Sequence, residues 1–170
     1  MTDKQIELYL AQISRTSEDF QKEKELLQIR FGGEPKDADV MWALINKCIL
    51  GLNESDLDSL RIHYLTMADF VYEINNSDPM EFLSQAIRTN LLQLKELYYS
   101  YPAVQVMCPH ASHCRKAKEL KGKVFTIDEA LNTMPIPNRE CEYRWDEHKK
   151  FSFCTCSYMP LDNDEYNERK

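Results

Sequence analysis

Five of the six cysteines fall between positions 108 and 156: Cys108 and Cys114, then Cys141, then Cys154 and Cys156, with His110 and His113 inside the first pair. Thiolates supplied in close pairs by two distant stretches of chain suit a tetrahedral zinc ion, at about 2.3 Å per Zn–S bond. A pair carried by one short loop adds little loop-closure entropy, so each pair acts as half a site. Metal binding is then linked to folding and supplies on the order of 10 kcal/mol in small zinc modules. The expected cofactor is one structural Zn2+ per chain, held by ligands drawn from Cys108, Cys114, Cys141, Cys154 and Cys156. Which four bind stays open. The C-x5-C spacing of the first pair is wider than the usual knuckle, and both histidines offer nitrogen. Cys154 and Cys156 would face opposite sides of a regular strand. They reach one ion together only if the chain turns there, and Cys141 can stand in for either. The same residues also fit a set of buried reduced thiols. A redox pair is a third reading, but it favours C-x2-C near a βαβ pattern, which this sequence lacks.

Other chemistry has less to draw on. A His-Asn-His type nuclease would find its residue types in His113, Asn138 and His148, but it needs a general base beside a metal with an open position. Four thiolates leave no such position. The basic-aromatic stretch within 139–153 joins Arg144, Lys149 and Lys150 to Tyr143, Trp145, Phe151 and Phe153. It could stack on single-stranded nucleic acid or form a hairpin with one packed and one solvated face. Cys108 or Cys114 beside a histidine could serve as a nucleophile, yet metal binding uses the same residues with fewer assumptions. There is no Gly-x-Ser-x-Gly elbow, P-loop or dinucleotide fingerprint. His63, Asp56, Asp58 and Asp69 sit at helix-surface spacings rather than as a pair facing a cleft. The balance is against an enzyme, and no catalytic or cofactor-binding residue other than the metal ligands is assigned.

The elements that must hold these thiols are mostly helical. The chain has 170 residues, 43% hydrophobic and 29% charged, with four Gly and seven Pro. It can bury a core, and it has few residues for the turns of an all-β fold. Residues 1–107 carry 10 basic and 17 acidic groups, residues 108–156 carry 9 and 7, and the tail 157–170 carries 2 and 4. The net charge of −7 argues against coating a nucleic-acid backbone with the whole surface, though a local patch survives that argument. No apolar run is long enough to span a bilayer, and Met1–Glu7 has no apolar signal-like stretch. The expectation is a cytoplasmic protein without a membrane partner.

Apolar residues recur at helical steps through Ile6, Tyr9, Leu10 and Ile13, and less cleanly from Phe20 to Ile29 before Gly32-Gly33. A second stretch runs from Trp42 to Ile49. A third, capped by Asn53 or Ser55, carries Leu57 to Tyr72. A fourth starts at Pro79 with Ser77 or Asp78 as cap, runs through Phe82, Leu91 and Leu97, and ends at Tyr101-Pro102. The last two, from Arg61 to Glu73 and from Met80 to Tyr99, resemble one degenerate tetratricopeptide-type hairpin, or form an ordinary antiparallel bundle. Tyr98, Tyr99 and Tyr101 either pack on the Cys-rich part or line a ligand groove. Farther on, Gly122 to Phe125 reads as a turn entering a short strand, and Thr126-Ile127-Asp128-Glu129 is a capping box opening a short helix that ends at Pro135-Ile136-Pro137.

The C-terminal residues resemble the zinc-binding end of phage head-morphogenesis (minor head) proteins and of uncharacterised phage or prophage proteins. The matching residues are Cys108 and Cys114, Gly122 and Phe125, Pro137 and Asn138, and Cys154 and Cys156. The likeness covers about 50 residues and implies a zinc segment, with an accessory role in head assembly as one outcome. The expected fold class is mainly α: an N-terminal helical bundle over 1–107, a small zinc-binding α+β module over 108–160, and a flexible acidic tail over 161–170. The expected function is a non-catalytic, zinc-stabilised adaptor or inhibitor that binds another protein. The alternative is a nucleic-acid-binding protein or nuclease using 139–153.

Overall fold

Each helix begins where a short polar side chain can satisfy the free amides of its first turn. In the computed structural model, which describes residues 1–97 and 99–169 with the side chain of His113 outside the description, Thr2 and Gln5 form a capping box that opens α1 (Asp3–Gln12). Thr16 and Asp19 do the same for α2 (Ser17–Phe31), which stops at Gly32 in the left-handed region at φ 74°. Helix α3 (Asp37–Gly51) follows. The cap of α4 (Leu57–Glu73) is Asp56, whose carboxylate accepts from the Ser59 amide at 3.2 Å. The expected caps lose to it because Asn53 spends its side chain on the Ser55 amide. Helix α5 (Met80–Glu96) has Pro79 just before its first turn, and Asp78 accepts from the Met80 amide.

Helices α4 and α5 form the expected hairpin, and α4 faces two cores. Its Met67, Phe70 and Val71 pack with Tyr9, Leu10, Val40, Met41 and Ile45 from α1 and α3. Ala68 and Tyr72 lie about 100° round the helix and join Met80, Leu83 and Leu91 of α5 against the Cys-rich part.

That part is built on a three-stranded antiparallel sheet in the order β2-β1-β3. Strand β1 (Ala103–Met107) is central. Val104 lies opposite Phe125 of β2 (Val124–Thr126), and Val106 opposite Tyr158 of β3 (Ser157–Leu161). The range expected to be helical up to 107 therefore ends in a strand. Ala103, Val104 and Val106 are buried in the Cys-rich core or its sheet, while α5 has already stopped at Glu96. Of the three tyrosines after it, Tyr98 lies outside the described residues, Tyr99 is 94% exposed and Tyr101 is half-buried.

A 3-10 turn over Ala111–His113 and helix α6 (Arg115–Leu120) connect β1 to β2. The Thr126–Glu129 capping box forms as the spacing implies and opens α7 (Ile127–Thr133). Removing this cap with Thr126→Ala is expected to cost about 1 kcal/mol, read as a lower denaturation midpoint with an unchanged urea slope. The acidic tail is more ordered than expected. Leu161 is the buried end of β3, and a capping box between Asp162 and Glu165 starts α8 (Asn163–Glu168). Asn163 donates to the Tyr99 carbonyl at 3.1 Å. Among the described residues, no helix is long and apolar enough to cross a membrane.

Candidate metal centre

Strand β1 delivers Cys108 into the core directly beyond Met107. The Cys108 carbonyl accepts from the Ala111 amide at 3.3 Å, and the resulting 3-10 turn brings the chain back to Cys114. This turn absorbs the extra residues of the C-x5-C spacing. Cys114 caps α6, its sulfur accepting from the Ala117 amide at 3.4 Å. Cys141 follows a tight loop in which its own amide donates to the Asn138 carbonyl at 3.0 Å. Cys154 and Cys156 precede β3 rather than lying in it, so the alternation of a regular strand does not apply. Both side chains are buried, with Thr155 half-exposed between them.

All five thiols are free, buried and members of one core cluster. Cys48 belongs to the other core, where the Arg15 guanidinium donates to its sulfur at 3.3 Å.

The sulfurs touch one another. The Cys156 thiol lies 2.7 Å from the Cys108 sulfur. Cys154 accepts from the thiols of Cys141 and Cys156 and from the backbone amides of Asn138 and Cys156. Cys141 takes an amide hydrogen bond from Tyr143.

This pattern decides where negative charge rests. The thiol and amide donors around Cys154 hold its proton affinity well below the ordinary thiol value. Cys141 and Cys156 are pushed up, first because each donates to Cys154 and then by burial. Burial pushes Cys108 up as well. Amides aimed at Cys114, Cys141 and Cys154 are the donors that stabilise thiolates. Among the described residues, no group of three or more His, Cys, Asp or Glu side chains is already spread around a metal-sized space. The sulfurs of Cys108 and Cys156 lie against each other instead.

The other candidates have different partners. His110 is exposed, and its ring stacks on Tyr143 at 4.3 Å and 6°. The His113 side chain, a candidate ligand and a candidate nuclease residue, lies outside the description. His148 is exposed, and the Asn138 backbone amide donates to Cys154 while its side-chain oxygen accepts from the Glu140 amide. His63 sits 2.7 Å from the Ser59 carbonyl. Asp56 is a cap, Asp58 pairs with Arg61 at 3.1 Å, and Asp69 accepts from the Tyr9 hydroxyl at 3.2 Å, with burial raising its carboxyl pKa.

The basic-aromatic stretch folds back onto α4. Trp145 and Phe153 pack edge-on against Tyr72, with ring centroids 5.5 and 5.2 Å away, and the Trp145 amide donates to the Tyr72 hydroxyl at 3.2 Å. Lys149 donates to the carbonyls of Tyr72 and Glu73 and pairs with the Glu73 carboxylate at 2.9 Å. Phe153 is buried and Lys149 is held by these partners, while Trp145 stays 46% exposed and Arg144 and Lys150 are exposed as well. Tyr72 and Glu73 are the residues that sequence reasoning missed. Their only signal was a lysine and several rings in the C-terminal segment that had no partner nearby in the chain.

Comparison with protein-family models, curated proteins and solved structures gives no significant match. The resemblance of the C-terminal segment to minor head proteins therefore rests on its motif residues alone.

Proposed function

We propose that this protein is a non-catalytic interaction protein, an adaptor or inhibitor, whose C-terminal part is held by one structural zinc ion bound to four of the five clustered thiols. The observation that carries this reading is the meeting of Cys108, Cys114, Cys141, Cys154 and Cys156 from three separate stretches in one buried cluster, with backbone amides directed at three of the sulfurs. Four thiolates around zinc leave no place for a substrate or an activated water. Free thiols suit a reducing compartment such as the cytoplasm. The resemblance of the C-terminal segment adds a phage or prophage setting to the proposal.

A protein partner is supported on the helices of the other core. Ile29 and Phe31 near the end of α2 are 82% and 72% exposed, and Leu50 on α3 is 84% exposed. Leu27, Phe31, Pro35 and Trp42 line a groove of about 550 Å3 where α2 passes into α3, about two helical turns from Leu50 at the other end of α3. Exposed apolar area of this kind is characteristic of protein-binding surfaces.

Elemental analysis of the purified protein is expected to return about one zinc per chain, the number a single tetrahedral site takes. Zinc-free protein whose thiols all react in the native state would overturn the metal reading. Phe31→Asp should leave zinc content and helicity unchanged and abolish capture of a co-purifying protein. Titration with single-stranded DNA should show no binding. Tight binding that weakens steeply with salt would favour the nucleic-acid alternative instead.

A further inference from the structure

A tetrahedral zinc ion takes four sulfurs, and the cluster contains five. Two sulfurs on one zinc ion sit about 3.8 Å apart, as 2.3 Å bonds at tetrahedral angles require. The Cys108–Cys156 contact is 2.7 Å, which is nearer to the roughly 2.05 Å of a disulfide bond than to the spacing of co-ligands. These two sulfurs are therefore placed to bond to each other rather than to share an ion.

The hydrogen bonds distinguish the pair further. Cys114, Cys141 and Cys154 each receive at least one backbone amide, whereas Cys156 has a single S–H to offer, to Cys108 or to Cys154. Cys156 is buried but, like Cys154, lines with Arg61, Leu65 and Ile87 a groove of about 420 Å3 between the α4–α5 hairpin and the start of β3.

We propose that Cys156 is the surplus thiol of this cluster: Cys108, Cys114, Cys141 and Cys154 hold the zinc, and Cys156 captures oxidised Cys108 as a disulfide, so that a hydroperoxide releases the metal. This rests on the zinc reading above and adds regulation to it. In the first step the Cys108 thiolate attacks a peroxide oxygen; an S–O bond forms, the O–O bond breaks, and the other oxygen leaves as hydroxide or alkoxide, which takes a proton from water. In the second step the Cys156 sulfur attacks the sulfenic sulfur of Cys108. The S–S bond forms, the S–O bond breaks, and the hydroxyl departs with the Cys156 proton as water. Two electrons pass from the two sulfurs to the peroxide. Cys108 is then no longer a thiolate, and the ion keeps three ligands.

The experiment uses full-length protein and hydrogen peroxide, with zinc release followed by a chromogenic chelator and disulfides mapped by peptide mass spectrometry. The wild type should release its zinc as a Cys108–Cys156 disulfide appears. Cys156→Ala should keep about one zinc per chain and release it roughly tenfold more slowly or less, because the nearest resolving thiol is gone. A second measurement needs no variant: limited alkylation of the zinc-loaded wild type should modify Cys156 before the other four clustered thiols. A folded Cys156→Ala protein without zinc, equal release rates, a disulfide elsewhere in the cluster, or alkylation beginning at another clustered thiol would each overturn this inference and leave the zinc reading standing. A wild type that purifies without zinc overturns both.

Discussion

Cys154→Ser is expected to reduce the zinc content from about one per chain to near zero and to remove hydrogen-exchange protection from β1, β2 and β3. Helices α1–α3 should keep theirs. Cys154 is the sulfur around which the cluster is organised, receiving two thiols and two backbone amides, and a serine oxygen is a poor substitute among sulfur ligands for zinc. The energy involved explains the size of the effect. Structural zinc contributes on the order of 10 kcal/mol, comparable with the roughly 5–15 kcal/mol by which a whole domain is stable. A sheet with strands of five, three and five residues has little else to hold it. The first core, formed largely by α1, α3 and one face of α4, contains none of the five clustered thiols and should survive. Cys48→Ser makes the contrast, because that thiol sits in the first core: zinc should be retained and only helix packing disturbed. If Cys154→Ser keeps a full zinc and normal protection over the sheet, the cluster is a set of packed thiols and not a metal centre.

Tyr72→Ala is expected to destabilise the protein by about 3–5 kcal/mol, the usual range for deleting a buried aromatic ring, measured by urea unfolding. Tyr72 is 1% exposed. Its ring receives Trp145 and Phe153 edge-on, and Lys149 lies with its ammonium 5.1 Å from the ring centroid. The loss should appear first as a change in the fluorescence of Trp145, already 46% exposed, as it loses the ring it packs against, because the C-terminal segment is clamped to α4 through this residue. Tyr72→Phe keeps the ring and removes only the acceptor for the Trp145 amide, so it should cost about 1 kcal/mol. A Tyr72→Ala change below 1 kcal/mol would mean that residues 143–153 contribute little to holding the Cys-rich part on the helices.

Some of these features could be read along the chain and others could not. The hairpin of α4 and α5 was legible because apolar residues three and four apart mark one face of a helix. The Thr126–Glu129 cap was legible because both partners lie within one turn. The same signal was present at Asp162 and Glu165, where the acidic composition of the tail pointed instead to a flexible end. Strand β1 was not recognised. Its five residues follow a long helix, and what makes them a strand is pairing with residues about 20 positions away on one side and about 55 on the other.

The division between sequence and tertiary structure follows the reach of the forces involved. The sequence by itself determined that helices dominate, that caps form where a polar side chain meets its own backbone, and that five thiols are concentrated in one third of the chain. Those properties depend on neighbours within about four residues, or on composition alone. The tertiary structure decided which sulfurs touch, that Cys154 gathers the donors, that Cys156 lies against Cys108, and that Tyr72 receives the aromatic segment. Each of these joins residues far apart in the chain, and their meeting depends on which faces of α4 and α5 are left apolar once the first core is filled.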